Sequence, residues 1–437
     1  MAGNNSANGS WTRRRVLQAG GAAGLWAALG GPAVGAAERS GSKRVVVVGG
    51  GPGGATCAKY LRKYDPSVSV TLVERNAHYY TCFGGNWYLS GFRELDSLRH
   101  SYSALEKEHG VQVVQDTVTG WDAEKGRVEL AGGEALDFDR LVVSPGIDFR
   151  WEEVEGMDEG DTEEVPHAWE GGEQYRILRR QLEAMEDGGT VAVCPPANPF
   201  RCPPGPYERV SLIAHYLKEH KPRSKVLVLD AKDKFSKQGL FEEGWAELYG
   251  DMIEWVPGSE GGVIDRVEPG ARKVLTQEGF EEHEVDVLNV IPPQRAGRIA
   301  REMGLTDDSG WCPVDQRTFE STVQPNVHVI GDAAIAGDMP KSGFAANNHG
   351  KMTAAAIVSR FRGHDMPDPS LVNTCYSLVG PEYGISVAAV YRYEDEELRS
   401  IEEAGGVSPS DADSFFRMRE ARYTRGWYEA IADDIFG

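Results

Sequence analysis

The segment from Lys43 to Glu74 constrains the fold more than any other. Lys43-Arg44-Val45-Val46-Val47-Val48 ends in four valines with no polar interruption, as a strand buried on both faces of a parallel sheet requires. It runs into Gly49-Gly50-Gly51-Pro52-Gly53-Gly54. Beyond this, Ala55 to Tyr64 predicts a helix and Ser69 to Val73 a second strand ending on Glu74. Gly49, Gly51 and Gly54 thus form a G-x-G-x-x-G turn between strand and helix, with an acid 25 residues after the first glycine. Such glycines let the backbone approach a pyrophosphate, the helix N-terminus attracts the anion, and Glu74 can accept from ribose hydroxyls. The unit predicts a doubly wound dinucleotide-binding domain.

Two later segments narrow the dinucleotide to FAD. Asp139-Arg140-Leu141-Val142-Val143-Ser144-Pro145-Gly146 is a strand ending in a tight turn, and Val327-His328-Val329-Ile330-Gly331-Asp332 is a strand ending in Gly-Asp. Flavoproteins with two dinucleotide domains carry motifs of both kinds, and the Asp, here Asp332 after Gly331, serves the ribityl and phosphate region. Between them lies another strand–helix–strand unit, Thr190 to Cys194, Tyr207 to Glu219 and Lys225 to Leu229. Its first turn, Pro195 to Pro206, places five prolines before Gly205 where a second glycine cluster would belong. Prolines remove amide donors and stiffen the loop, so no nicotinamide dinucleotide is expected there.

The expected fold is therefore α/β, with two Rossmann-like domains and a C-terminal interface domain. Residues 43–160 and 293–365 are assigned to the FAD-binding domain, 161–292 to a degenerate NAD-type domain, and 366–437 to the interface domain. Pro340-Lys341-Ser342-Gly343 leads into a helix expected over Gly350 to Arg362, whose N-terminus would face the flavin; the alternative is a surface loop capped by Ser342. In the C-terminal region Tyr383 to Tyr391 alternates like a strand, Glu394 to Ala404 predicts a charged helix, and Ser414 to Ile431 is mixed.

The chain carries 67 acidic against 46 basic side chains, a formal charge of −21. Such a balance repels phosphate backbones and anionic lipid, which excludes nucleic acid as an expected partner and disfavours stable membrane insertion. Residues 1–37 differ: Arg13-Arg14-Arg15 precedes a Gly- and Ala-rich run that ends in small residues. This predicts a twin-arginine signal and export to the periplasm as a folded protein. The rival reading is an uncleaved anchor, for which so much glycine is ill suited.

Six cysteines, Cys57, Cys82, Cys194, Cys202, Cys312 and Cys375, show no CxxC or CxxCH spacing, which disfavours a zinc ribbon and a covalent haem. His78, His215, His220 and His349 lack partners at metal-ligand spacing, so no metal is expected. Cys57 and Cys194 fall on a helix and a strand end and read as core. Cys82, after the Glu74 strand, offers either a thiolate able to bond the flavin 8α carbon or a buried small hydrophobe. For Cys202 and Cys375, 173 residues apart, three readings stand: a redox-active disulfide, a structural one, or two unrelated thiols. In the first, a soft sulfur nucleophile opens the bond and the displaced thiolate passes two electrons to the flavin, with Glu208 at the next helix start to handle the proton.

Four segments carry a resemblance: Tyr79-Tyr80-Thr81-Cys82, Ala197 through Arg209, Met339-Pro340-Lys341-Ser342-Gly343 and Asn373-Thr374-Cys375-Tyr376-Ser377. With them the chain resembles the flavoprotein subunit of flavocytochrome c sulfide dehydrogenase over essentially its mature length. The resemblance implies covalent FAD on Cys82, a redox disulfide between Cys202 and Cys375 with Glu208 beside it, and sulfide as substrate. It also implies a periplasmic heterodimer with a c-type cytochrome subunit that carries the haem. Rival readings are a sulfide:quinone oxidoreductase and a non-catalytic flavin-binding protein.

Overall fold

In the computed structural model, which describes residues 42–437, Val45 to Val48 are all buried because their strand is the middle of a five-stranded parallel sheet. The expected export segment, residues 1–37, lies outside the described residues. Across this sheet the strands run Val327–Val329, Arg140–Val143, Arg44–Val48, Ser69–Val73 and Gln112–Val114. Val47 pairs with Leu72 on one side and Val142 on the other, all three without exposed surface. Each such side chain contributes about 1.5–3 kcal/mol through burial. The Pro52–Tyr64 helix crosses over this sheet against the Gly343–Phe361 helix. Gly350 allows the approach: a Cβ there would lie 2.5 Å from the Gly53 carbonyl oxygen.

The second unit is a four-stranded parallel sheet in the order Ile253–Val256, Lys225–Leu229, Thr190–Cys194, Val287–Val290. The Gly205–His220 helix, with Pro206 in its first turn, follows the proline loop and buries Tyr207, Leu212, Ile213 and Leu217. Both parallel sheets form as the apolar runs require. The fold is α/β with two Rossmann-like units, completed by a C-terminal antiparallel sheet of Ser370–Gly380, Tyr383–Glu394, Glu397–Ser400 and Gly406–Val407.

Three expectations need correction. Glu394 to Ala404 is no helix: Asp395 and Glu396 turn the chain with φ of 51° and 66°, and Glu397–Ser400 returns as an edge strand. Ser414–Phe436 is one continuous 23-residue helix capped by Asp413, not a mixed segment. The helix expected to face the flavin starts at Gly343, about two turns earlier than Gly350, because the Ser342 hydroxyl accepts the Ala345 N–H as N-cap. Among the described residues no helix is long and apolar enough to cross a membrane.

The long C-terminal helix is tied back to the first unit. Lys59 donates to the carbonyls of Asp433 and Asp434, each at 3.1 Å. The Asp434 carboxylate accepts from Tyr60, Asn347 and Lys351 at 2.6, 2.8 and 2.7 Å.

Candidate active site

The three glycine-containing turns meet at the carboxyl ends of adjacent strands, where an open α/β sheet binds its ligand. Each glycine of the first turn has its own reason. Gly49 has φ 98° and a Cβ there would lie 2.3 Å from the Ser144 carbonyl oxygen. At Gly54 a Cβ would lie 1.9 Å from the Gly49 carbonyl oxygen, so helix and strand pack only with hydrogen there. At Gly51 the protein demands nothing: a Cβ would meet the Tyr79 ring at an ordinary 3.5 Å. A glycine that packing does not require, at the N-cap of the 13-residue Pro52–Tyr64 helix, leaves room for a phosphate to approach the amides. Glu74 accepts the Gly50 N–H at 2.7 Å through one oxygen and is held by Asn76 through the other.

Asp332 supplies a further sign of a missing partner. It follows Gly331, whose φ is 73°, and its Oδ1 is buried with no hydrogen-bond partner. Burial pushes its carboxyl up, opposed by Arg201 and Lys341. A polyhydroxylated chain with hydroxyl donors satisfies such an oxygen. These residues therefore fit an FAD. Lys341, expected among the cofactor-binding residues, braces the turn that carries Asp332. Its ammonium donates to the backbone carbonyls of Asp332 and Ala334 at 2.8 and 3.0 Å and lies 3.7 Å from the centre of the Trp311 ring. Burial pushes it down to about 8, with Asp332 opposing. Its own carbonyl accepts the Cys202 N–H at 2.7 Å.

Cys82, Cys202, Cys375, Glu208, Ser342 and Trp427 line one cavity. The structure thus brings together cysteines from the first, second and C-terminal parts of the chain. Cys202 and Cys375 are separate thiols here. Cys202 sits at φ 59° in the proline loop, a left-handed conformation costing an L-residue roughly 1–2 kcal/mol. Its sulfur rests on the first turn of the Gly205–His220 helix, where a Cβ on Gly205 would come within 2.9 Å of it. Burial pushes the Cys202 thiol well up, as do the charges of Cys375, Cys82 and Glu208, against Arg201. Burial also pushes Cys375 up, but Lys237, Asn373 and Ser342 oppose it.

Glu208, almost fully buried, is held by three N–H donors: Asn86 Nδ2 at 2.9 Å, Trp87 Nε1 at 3.2 Å and the Leu378 amide at 2.9 Å. Burial nevertheless pushes its carboxyl up, against those three donors and Lys237. Asn86 also donates to the Gly205 carbonyl at 3.1 Å and accepts from the wholly buried Arg209 at 3.2 Å. Sequence reasoning missed Asn86, Trp87, Arg209 and Lys237. Asn86 and Trp87 stand four and five residues after Cys82 on a five-residue helix, a proximity that could have pointed to them; Lys237 had no such signal. Cys57, Cys194 and Cys312 are core residues, pushed up by burial. No cluster of three or more His, Cys, Asp or Glu able to hold a metal occurs among the described residues.

Comparison with known proteins agrees with this geometry. Residues 175–292 match the family "Sulfide dehydrogenase [flavocytochrome c] flavoprotein chain, central" and residues 367–436 match "Flavocytochrome c sulphide dehydrogenase, flavin-binding". Residues 43–182 match "Pyridine nucleotide-disulphide oxidoreductase". A sulfide dehydrogenase flavoprotein chain of Chlorobaculum thiosulfatiphilum is 71% identical over 42 residues, 10% of this chain and 88% of that sequence. The mitochondrial sulfide:quinone oxidoreductase of Mus musculus is 24% identical over 324 residues, 69% of this chain and 67% of the relative. Among solved structures, the sulfide:quinone oxidoreductase of Aquifex aeolicus superposes with a TM-score of 0.70 at 17% identity, covering 90% of this chain and 92% of its own. An NAD-dependent persulfide reductase from A. fulgidus gives a TM-score of 0.60 at 16% identity over 90% and 77%. The sequence segments, the glycine turns and the three-cysteine cavity converge on one assignment: the chain is a flavin-dependent sulfide oxidoreductase and belongs to the flavocytochrome c sulfide dehydrogenase flavoprotein family.

Proposed function

We propose that the chain oxidises hydrosulfide through Cys202 and Cys375 and delivers the electrons to a c-type cytochrome subunit in the periplasm. The observation carrying this reading is that Cys82, Cys202, Cys375 and Glu208 share one cavity. In the oxidised enzyme Cys202 and Cys375 form a disulfide. Hydrosulfide attacks one sulfur: a new S–S bond forms, the old one breaks, and the products are a persulfide on one cysteine and a thiolate on the other. Glu208 takes the proton of the attacking hydrosulfide. A second sulfur nucleophile then releases the zero-valent sulfur as polysulfide. Release of the sulfur leaves Cys202 and Cys375 as a reduced pair that closes again to the disulfide as it gives up two electrons. The chemistry that FAD would supply is acceptance of those two electrons and their release one at a time to a haem on the partner. Gly51, Asp332 and the helix capped by Ser342 hold that cofactor, and Cys82 is the residue for covalent attachment.

Cys202→Ser tests the reading. Sulfide should no longer bleach the flavin absorbance, whereas dithionite should bleach it as before; retained bleaching by sulfide overturns it. A mass increment of FAD on the denatured chain, lost in Cys82→Ser, tests the covalent link. Replacing Arg13 and Arg14 with lysines should keep the protein out of the periplasm if the export reading holds.

The likeness to sulfide:quinone oxidoreductases favours a second reading with quinone as acceptor. Turnover with cytochrome c against short-chain quinones separates the two.

A further inference from the structure

The Lys237 ammonium lies buried beside the C-terminal cysteine and is hydrogen-bonded to neutral acceptors. It sits directly before the Gln238–Leu248 helix at φ 62°, a left-handed position uncommon for a long side chain, and is 8% exposed. Its Nζ donates to the Cys375 carbonyl at 3.1 Å and to Ser377 Oγ at 2.8 Å. Among the described residues it makes no ion pair within 4 Å. Burying an ammonium on neutral acceptors alone is costly, so a nearby anion is the expected return. The groups whose charge favours its protonated form are Cys375, Glu208, Cys202 and Glu420, drawn from four different parts of the chain.

A second arrangement points to the same sulfur. Asn373 Nδ2 donates to Cys375 Sγ at 3.4 Å, and Ser342 Oγ donates to Asn373 Oδ1 at 2.7 Å. The serine hydroxyl fixes the amide so that its NH2 faces the sulfur. Cys375 thus has a fixed N–H donor and a buried cation on its side of the cavity. Cys202 has Arg201 as its opposing charge but, among the described residues, no N–H donor to its sulfur, while Glu208 works against ionisation of both cysteines. The two cysteines are electrostatically unequal.

We propose that Lys237 is a positioning residue that acts as counter-cation for anionic sulfur on Cys375, with Asn373 as its hydrogen-bond donor. Charge on that side chain, whether thiolate or persulfide, is stabilised by Lys237 through the low-dielectric interior. Burial pushes Lys237 down to about 8, and Cys375 is the strongest influence in the opposite direction. The inference deepens the proposed function and rests on Cys375 being one of the reacting thiols. Its test does not require sulfide to be the substrate.

The measurement is the pH profile of Cys375 alkylation by iodoacetamide, read by peptide mass in the reduced, flavin-loaded Cys202→Ser protein. Lys237→Met in that background should move the profile's midpoint up by at least one pH unit, about a tenfold loss of rate at neutral pH. Lys237→Arg should keep the midpoint within a few tenths of a unit. If Lys237→Met does not fold, Lys237→Gln makes the same comparison. A midpoint unmoved by loss of the charge overturns the proposal, as does an arginine variant that shifts as far as methionine. With Cys202 intact, normal sulfide bleaching in Lys237→Met would also overturn it. Should the Cys202→Ser protein alone still bleach with sulfide, the proposed function fails while the alkylation result stands.

Discussion

Glu208 Oε1 accepts the backbone N–H of Leu378 at 2.9 Å, joining the helix after the proline loop to the strand that carries Cys375. The carboxylate proposed to handle the proton is thus also a clasp between two parts of the chain. Glu208→Gln turns an acceptor-only head into one with its own NH2, so one of the three donors loses its partner. Sulfide-driven flavin bleaching should slow by about 10²-fold or more, with dithionite reduction unchanged. Stopped-flow absorbance checks this; bleaching within threefold of wild type would remove Glu208 from the reaction.

Gly51 and Gly54 should respond oppositely to alanine. The Cβ at Gly54 has no space, at 1.9 Å from a backbone oxygen, whereas at Gly51 it meets only a ring at 3.5 Å. Gly54→Ala should cost several kcal/mol and yield little folded protein. Gly51→Ala should fold within about 0.5–1 kcal/mol of wild type yet lose flavin. Thermal melts together with the flavin-to-protein absorbance ratio read both effects. A flavin-replete Gly51→Ala protein would mean that the space above that helix is not used by phosphate.

Acid should destabilise the chain well before its carboxylates protonate. His167 and His349 are buried neutral, pushed down to about 3, first by burial and then by Arg209 and Arg201 at His167 and Lys341 at His349. Below the unfolded value near 6.5 the unfolded chain binds protons that these folded imidazoles refuse, so stability falls with pH until about 3. Between pH 7 and pH 5 each such group removes about 2 kcal/mol. His349 stacks near Phe319 at 4.2 Å and neither of its ring nitrogens has a partner, so His349→Leu should flatten the slope by that amount. Urea titrations at the two pH values measure it; an unchanged difference would contradict the assignment.

The C-terminal helix should be the element most sensitive to Asp434. Burial works against its charge, but hydrogen bonds from Lys351, Tyr60 and Asn347 win and hold it below the usual carboxylate range. That contribution is present above the unfolded carboxylate value and fades as pH falls through the folded one. Asp434→Ala removes the acceptor shared by Tyr60, Lys351 and Asn347, the last keeping only its bond to Thr56 Oγ1, and should cost about 3 kcal/mol. Hydrogen exchange should show the loss first in the last turns of Ser414–Phe436. Uniform loss across the molecule would instead make the helix part of one cooperative unit.

How far the sequence revealed this structure varies by region, for physical reasons. Parallel strands buried on both faces advertise themselves, and Ser69–Val73, Thr190–Cys194 and Lys225–Leu229 form where their apolar runs are. The C-terminal helix did not, because its inward face carries Arg417, Glu420 and Thr424. Arg417 pairs with Glu243 at 2.7 Å, so the first half of the helix buries a largely polar face and a continuous apolar stripe begins only at Tyr428. The Glu394–Glu397 turn uses Asp395 and Glu396 at positive φ with no glycine to mark it, so its acids read as a solvated helix. Cys82, Cys202, Cys375 and Glu208 were nameable from their segments. Lys237 was not, since 138 residues separate it from the carbonyl it binds.

The peptide of Lys341 reaches two ways: its ammonium to the carbonyls behind Asp332 and its carbonyl to the Cys202 amide. The turn that carries Asp332 and the loop that presents Cys202 are therefore parts of one mechanical linkage, and strain introduced at either end is transmitted to the other through one residue.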